Sequence, residues 1–114
     1  MIRIITILLI IISFAGAQSK SELKNVKVLP FTKKQDIVNY MKKTMVQGLG
    51  VKCKFCHNPL DFSSDEKENK LVAREMMKMV KGINLNTMSK LKFHEVSCFT
   101  CHRGQDHPDH PPKH

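Results

Sequence analysis

Two segments of the sequence, 53–57 and 98–102, carry the same five-residue pattern, Cys-x-x-Cys-His. Together they contain all four cysteines and two of the six histidines of the chain, namely Cys53, Cys56, Cys98, Cys101, His57 and His102. The pattern is typical of covalent haem c attachment. Two thiols on one turn of chain can add across the two vinyl groups at one edge of a porphyrin, and the adjacent imidazole is then held beside the iron as an axial ligand. The sequence therefore predicts two covalently attached haem c groups.

Pairs of cysteines also serve other chemistries, and three alternatives compete with haem. Two Cys-x-x-Cys knuckles can bind zinc, a single pair can be a redox-active dithiol, and all four thiols can form structural disulfides. The histidine that follows each pair, the lack of any further cysteine and an N-terminal export signal together favour haem. Because haem c is attached after export, the signal belongs to the same prediction.

The N-terminal residues predict the compartment. Arg3 gives a positively charged start, residues 4–14 are apolar except for two, and 15–17 form the small-x-small motif of a cleavage site. The apolar run is short for a bilayer span, although an uncleaved membrane anchor is the alternative. The interpretation is a cleaved signal peptide at 1–17 and a periplasmic or otherwise exported protein.

The segment left after cleavage, 18–114, is small and basic. It has 97 residues, with 18 Lys and Arg against 10 Asp and Glu, which gives a net charge of +8. A core of side chains alone is thin at this size, and small domains generally need a cofactor, a metal or disulfides to complete it. Export argues against nucleic acid as a partner. The positive charge indicates instead an acidic redox partner, compensation of haem propionates or peripheral association with a membrane.

Capping signals and apolar periodicity predict a mainly α-helical domain with little or no sheet. The first helix is expected to begin at Thr32, in a capping box with Gln35, and to end at Gly48 and Gly50. Its apolar face carries Ile37, Met41 and Met45 at a spacing of four residues. This helix leads directly into the first Cys-x-x-Cys-His segment.

The second helix is expected to span about 64–82, with a cap formed by Ser63 and Glu66 and an end at Gly82 and Asn84. Its apolar positions share one face, at Val72, Met76, Met79, Val80 and Ile83. Residues 85–97 fit either a short helix or extended chain. The resulting plan is a signal peptide at 1–17, an extended lead-in at 18–31, a dihaem domain at 32–104 and a flexible tail rich in His and Pro at 105–114.

The iron of electron-carrying cytochromes c usually has a second axial ligand, and methionine is a common one. Met41 and Met45 both lie on the apolar face of the first helix, shortly before Cys53. For the second haem the candidates are Met76, Met79 and Met88, with His94 as a further candidate. Spacing does not choose among them, because methionine also fills gaps in protein cores.

Four stretches of the sequence, 49–58, 73–76, 83–84 and 96–104, resemble the cytochrome c subunit of photosynthetic reaction centres and its short relatives. The more specific pieces are Ala-Arg-x-Met at 73–76, followed by Ile-Asn, and the closing Cys-His-Arg-Gly. The resemblance runs from about residue 35 to Pro108, most of the mature chain.

The resemblance implies a small multihaem cytochrome c fold of two helix–Cys-x-x-Cys-His units, equal to one half of a four-haem subunit. It implies Met41 as the distal ligand of the first haem and Met76 as that of the second. Photosynthesis itself does not follow from one half of the subunit, and the donor and acceptor stay open.

The function predicted from these observations is one-electron transfer by an exported dihaem cytochrome that is not an enzyme. The alternative is a haem enzyme of the peroxidase type or a gas sensor, which needs one open iron and a distal acid–base group such as His94. The tail histidines, His107, His110 and His114, could bind a transition metal, but a solvated tail is the favoured interpretation.

Overall fold

Two long helices, each followed by one Cys-x-x-Cys-His segment, make up most of the fold in the computed structural model, which describes residues 23–110. The predicted signal peptide at 1–17 and the last four residues of the tail lie outside the described residues. The prediction of a mainly helical domain is confirmed. Between residues 23 and 110 there is no strand, and an isolated bridge joins Asn58 to Asp61.

Each long helix consists of an α-helical part, a π-helical part and a final α-helical turn, which follow one another without a break. Helix α1 spans 34–49 and comprises α-helical Lys34–Tyr40, π-helical Met41–Val46 and α-helical Gln47–Leu49. Helix α2 spans 68–91 and comprises α-helical Glu68–Ile83, π-helical Asn84–Met88 and α-helical Ser89–Leu91. Helix α3 is Cys98–His102, and the first attachment segment begins with the 3₁₀ turn Cys53–Phe55.

The same order of parts therefore occurs twice: an α-helix, a π-helical segment, one final α-helical turn and an attachment segment. The residue that ends each helix has a left-handed backbone, with φ of 66° at Gly50 and 56° at Lys92. The duplication seen in the cysteine motif thus extends to the helix that precedes it. Short π-helical segments are uncommon and frequently occur at functional sites, and these two contain three of the candidate ligands, Met41, Met45 and Met88.

The predicted starts of both helices are wrong. Helix α1 begins at Lys34 with Lys33 as its N-cap and no capping side chain, and Gln35 donates instead to the Asn39 side chain over 3.0 Å. Helix α2 begins at Glu68, again without a side-chain cap. The physical reason is competition, because the segment before α2 forms its own turn, in which Asp61 accepts a hydrogen bond from the Ser63 amide over 2.9 Å.

The two helix ends differ in how well the sequence predicts them. Helix α1 ends at Gly50, as expected, but α2 does not end at Gly82 and Asn84 and continues to Leu91. Asn84 does not cap the helix but binds the backbone of Val96. Its side chain donates to the Val96 carbonyl over 2.9 Å and accepts from the Val96 amide over 2.8 Å. These two bonds fold the chain back after α2 and position the second attachment segment.

The polypeptide core is small. Among the described residues, Met45 is the only apolar side chain that is buried from solvent. Its sulfur lies 3.9 Å from the Sγ atom of Cys98, so it packs where the end of α1 meets α3. Gly48 permits this close approach, since a Cβ atom at that position would lie 2.9 Å from Cys98 Cβ. The side chains alone leave the domain poorly filled, as its size predicts.

Candidate haem-binding sites

A cavity of about 510 Å³ opens beside the first attachment segment. Its wall contains the side chains of Cys53, Cys56 and His57 on one side and Met41 of helix α1 on another. Segment 23–29 closes a further side, and α2 contributes Ala73 and Met77. The structure therefore brings the predicted tether, the predicted proximal ligand and one predicted distal ligand to one space.

The first cavity suits a large planar cofactor. Its volume lies within the range of about 300–1,000 Å³ that is usual for cofactor pockets. The polar groups that converge on the cavity include two thiols and an imidazole. Aliphatic side chains form much of the wall, and they include Ile37, Val38, Val46, Leu49 and Val51. Cys53 is exposed and Cys56 is half-buried, so both sulfurs can be reached from the cavity. The two thiols, the imidazole and the thioethers of three methionines that line the cavity fit a covalently tethered haem with imidazole and thioether ligands.

One cysteine of each attachment segment has a raised pKa. All four cysteines are free, and burial raises the pKa values of Cys56 and Cys98 above the ordinary value. Nearby Lys67 opposes the rise at Cys56 but does not cancel it. A redox-active or catalytic cysteine generally has a lowered pKa, which supplies the thiolate. Cys56 and Cys98 therefore lack the lowered pKa that activates a cysteine nucleophile.

His57 is held in one orientation by two contacts with Phe62. Its Nδ1 atom lies 3.0 Å from the Phe62 carbonyl oxygen, and the two rings stack with centroids 5.1 Å apart. An Nδ1–H donor on a backbone carbonyl leaves Nε2 with a free lone pair, which is the arrangement of metal-bound histidines. The contact fixes both the tautomer and the direction of the imidazole.

The Phe62 carbonyl is itself anchored by a buried lysine. Lys70 of helix α2 is 8% exposed, and its ammonium donates to the carbonyl oxygens of Phe62, Ser63 and Ser64 over 3.0, 2.9 and 2.6 Å. Three carbonyls and a nearby carboxylate satisfy the charge, which makes its burial tolerable. Lys70 thereby ties the loop that carries Phe62 to helix α2.

Asp65 is the carboxylate at the centre of this loop. It forms ion pairs with Arg74 over 3.0 Å, with Lys70 over 3.2 Å and with Lys27 over 3.3 Å. The amide of Asn25 donates to the same carboxylate over 2.7 Å. The hydrogen bond from Arg74, followed by those from the other partners, holds the pKa of Asp65 far below its ordinary value. The cluster joins the N-terminal segment, the loop and α2 beside the first cavity.

The second attachment segment forms helix α3, in which the cysteines lie on one turn. Ser97 and Thr100 make a capping box at its start, and the left-handed Arg103 ends it. His102 repeats the arrangement seen at the first motif, since its Nδ1 atom lies 3.0 Å from the carbonyl oxygen of Gln105. Its Nε2 atom is likewise left free, so both imidazoles have the orientation that axial ligation requires.

The apolar face of α2 is largely uncovered by the polypeptide. Met76 is 44% exposed and Met79 is 49% exposed, whereas the two buried side chains of this helix are Lys70 and Arg74. The face that sequence periodicity predicted is therefore not the one that packs against the rest of the chain. Met76 does not line the first cavity, so it does not share that space with Met41.

The other candidate ligands fall in different surroundings. Met45 is buried against Cys98 and also lines the first cavity, Met88 is half-buried in the second π-helical segment, and His94 is exposed. In the tail, His107 is exposed and its Nδ1 atom contacts the carbonyl of Asp106. No three His, Cys, Asp or Glu side chains cluster as a metal site in the part of the chain that the structure describes.

Sequence reasoning missed the loop that supports His57. Phe62, Asp65 and Lys70 belong to no recognisable motif. Arg74 belongs only to the Ala-Arg-x-Met stretch of the family resemblance. The available signal was the placement of Lys70 and Arg74 four residues apart on the face of α2 opposite to its apolar stripe. Such a pair normally indicates a solvated helix surface, and only the tertiary structure shows that this one is buried.

Comparisons with known proteins find relatives that are named as cytochromes. Cytochrome c-554 of Chloroflexus aurantiacus is 37% identical over 91 residues, which cover 77% of this chain and 22% of the relative. The photosynthetic reaction center cytochrome c subunit of Thermochromatium tepidum is 36% identical over 56 residues, or 49% of this chain and 14% of the relative. That of Roseobacter denitrificans is 32% identical over 98 residues, covering 79% and 26%.

The chain thus spans about a quarter or less of the length of these curated relatives. A family model described as photosynthetic reaction centre cytochrome C subunit matches residues 9–111, which include both helices and both attachment segments. The match covers most of the chain and includes every residue of the two sites described above. The chain belongs to the photosynthetic reaction centre cytochrome c subunit family.

Proposed function

We propose that this protein is an exported dihaem c-type cytochrome that carries single electrons. The observation that carries the proposal is the pair of equivalent imidazoles: His57 and His102 each follow a Cys-x-x-Cys pair and each place Nδ1 on a backbone carbonyl, over 3.0 Å in both cases. Two independent segments thus hold a histidine in the orientation of an axial ligand. Membership of a cytochrome family supports the same function.

The first site would hold its haem through Cys53 and Cys56, with His57 and Met41 as the axial ligands. The bound haem supplies the one-electron chemistry of its iron. The chain tethers it, and aliphatic residues of α1 and the N-terminal segment exclude water from it. Exclusion of water lowers the local dielectric constant, which makes the potential sensitive to nearby protein charges.

The second site would hold its haem through Cys98 and Cys101, with His102 and Met76 as the axial ligands. The uncovered apolar face of α2 supports this assignment, because a porphyrin lying on Met76 and Met79 would bury side chains that the polypeptide leaves exposed. Burial of apolar surface contributes about 25 cal/mol per Å². The second haem would thus complete the core that side chains alone leave thin.

Contacts between the two units support electron exchange between the haems. The Gly104 amide donates to the Gly48 carbonyl over 2.9 Å, and Cys98 packs on Met45. These contacts hold the second attachment helix against the helix that precedes the first attachment segment. Two cofactors tethered at these positions would lie close enough for electrons to pass from one to the other.

The basic surface supports a transient encounter with an acidic redox protein. Exposed lysines lie near the first attachment segment, at positions 52 and 54, and others on helix α1 at 42 and 43. Positive charge of this kind raises the association rate with an acidic partner and makes that rate fall with ionic strength. Several relatives are named as reaction center subunits, and a membrane-bound acceptor or donor would be compatible with this surface. None of the described helices is long and apolar enough to cross a membrane.

The test is expression with export in a host that attaches haem c, followed by a pyridine haemochrome assay and an intact-mass measurement. We expect two haems per chain and a mass equal to the cleaved polypeptide plus two haem groups. Cys98→Ser should impair attachment of one haem only, and Cys53→Ser should impair attachment of the other. A colourless exported protein with the mass of bare polypeptide would overturn the proposal.

A further inference from the structure

We propose that Lys70 is a positioning residue that raises the reduction potential of the first haem relative to the second. It would act through the carbonyl oxygen of Phe62, which His57 and Lys70 share as a hydrogen-bond acceptor. The inference rests on the proposed function, since it concerns the iron that His57 would ligate. It adds a residue that takes no part in tethering or ligation.

The shared acceptor is the observation behind the proposal. The Phe62 carbonyl oxygen lies 3.0 Å from His57 Nδ1 and 3.0 Å from Lys70 Nζ. A carbonyl oxygen has two lone pairs, so it can accept both bonds at once. Lys70 therefore contacts the group that sets the hydrogen bond of the proximal ligand, although it does not contact the imidazole.

Lys70 is held at this point and cannot exchange its partners for water readily. The side chain is 10% exposed, and its ammonium also donates to two further backbone carbonyls, Ser63 and Ser64. Asp65 faces it but is shared with Arg74 and Lys27. One carboxylate thus faces three cations. Asp61 also lines the first cavity, but lysines and Arg74 outnumber it there, which leaves a local excess of positive charge.

Both effects of this ammonium favour the reduced iron. The ammonium draws electron density from the carbonyl, so the carbonyl accepts less strongly from His57, and the imidazole keeps less anionic character. A less anionic imidazole donates less density to the oxidised iron, and second-shell hydrogen bonding of this kind tunes haem potentials. The positive charge also disfavours the oxidised haem, which carries one more positive charge than the reduced haem. In the step considered, one electron from the redox partner enters the iron, and no bond forms or breaks.

The second site lacks this feature in the described residues. The carbonyl of Gln105 that faces His102 Nδ1 has no ammonium bound to it in the range 23–110. The two imidazoles therefore have the same hydrogen-bond geometry, but only the carbonyl that accepts from His57 also accepts from an ammonium group. We accordingly assign the higher of the two potentials to the first haem.

The experiment is a potentiometric titration of the exported holoprotein and of Lys70→Met, which removes the charge and keeps the length of the side chain. One of the two potentials should fall by at least about 59 mV, a tenfold change in the one-electron equilibrium constant. The other potential should change much less, by no more than a few-fold in its one-electron equilibrium constant. Lys78→Met is the matched control, because it removes the same charge from an exposed position on the same helix and should leave both potentials nearly unchanged.

Two further variants separate an electrostatic role from a structural one. Lys70→Arg retains the charge and should retain the higher potential, whereas Lys70→Gln retains a donor without charge and should lower it. Lys70→Gln also serves if Lys70→Met loads haem poorly. Met76→Ala identifies the second haem, and the potential that it lowers should be the one that Lys70→Met leaves unchanged.

The results distinguish failure of this inference from failure of the proposed function. A holoprotein with two haems whose potentials are the same in Lys70→Met and Lys70→Gln as in the unaltered protein overturns the role of Lys70. A lowered potential in Lys70→Arg as large as that in Lys70→Gln overturns the electrostatic explanation. A protein without covalent haem overturns the proposed function instead.

Discussion

The amide of Gly104 donates a hydrogen bond to the carbonyl oxygen of Gly48 over 2.9 Å, and this bond joins the end of helix α1 to the chain just after α3. Gly50 lies at the same junction with a φ of 66°. A Cβ atom on Gly50 would lie 1.9 Å from the Gly104 carbonyl oxygen, closer than any two such atoms can approach. The junction between the two haem-binding units therefore depends on the absence of side chains.

Gly50→Ala should destabilise the folded protein strongly. A left-handed backbone costs a residue with a Cβ atom about 1–2 kcal/mol, and the clash with Gly104 adds to that cost. Gly82→Ala is the control, because a Cβ atom there meets nothing within 4 Å inside helix α2. That variant should gain about 0.5–1 kcal/mol from helix propensity. Urea denaturation of the holoproteins gives both values, and equal stabilities would contradict the role of the junction.

Met76→Ala should leave both haems attached, lower the potential of one by about 59 mV or more, and open that iron to carbon monoxide. Loss of a thioether ligand removes the group that stabilises the reduced iron. Met79→Ala, on the same exposed face of α2, should change neither the spectrum nor carbon monoxide binding. Visible spectra of the reduced proteins with and without carbon monoxide measure this. If Met79→Ala produced the open iron, the ligand assignment would pass from Met76 to Met79.

Met41→Ala and Met45→Ala should have opposite effects on ligation and stability. Met41 and Met45 both line the first cavity, but only Met45 is buried against Cys98, so removal of Met41 should alter the spectrum of the first haem and admit carbon monoxide. Met45 is buried against Cys98, so its removal should leave ligation intact and reduce stability. Truncation of a buried methionine to alanine typically costs about 2–5 kcal/mol. Carbon monoxide spectra and denaturation midpoints of both variants show which methionine is the ligand and which is the core residue. The reverse pattern would make Met45 the ligand and Met41 the core residue.

The stability of the protein should fall at acid pH through Asp65. Its ion pairs with Arg74, Lys70 and Lys27 depress its pKa in the folded protein, whereas the unfolded carboxyl titrates near its ordinary value of about 4. The stabilisation is therefore complete above about pH 4 and is lost as the pH falls toward the lower folded-state pKa. Asp65→Asn should be less stable than the unaltered protein at neutral pH and should show a shallower loss of stability below about pH 4. Denaturation at a series of pH values measures both slopes, and parallel curves would show that Asp65 contributes nothing to acid sensitivity.

The sequence alone determined the helical character of the protein and predicted its chemistry. The spacing of two thiols and an imidazole is a local property, because five consecutive residues suffice to tether a porphyrin edge and supply one axial ligand. The left-handed end of α1 at Gly50 is local for the same reason, since the conformation depends on one residue. Apolar periodicity likewise predicted that helices precede both attachment segments.

Only the tertiary structure decided which faces are buried and which residues support the ligands. Helix α2 buries Lys70 and Arg74 and exposes its apolar stripe. Lys70 donates to the carbonyls of the loop before the helix, and Arg74 donates to the Asn25 carbonyl in the N-terminal segment. Asn84 resembles a helix end in the sequence, yet it pins Val96 twelve residues later. Local sequence patterns predict features that depend on one turn of chain, such as an attachment motif or a helix end. Pairing between a buried charge and the acceptors that satisfy it emerges only when the chain has folded.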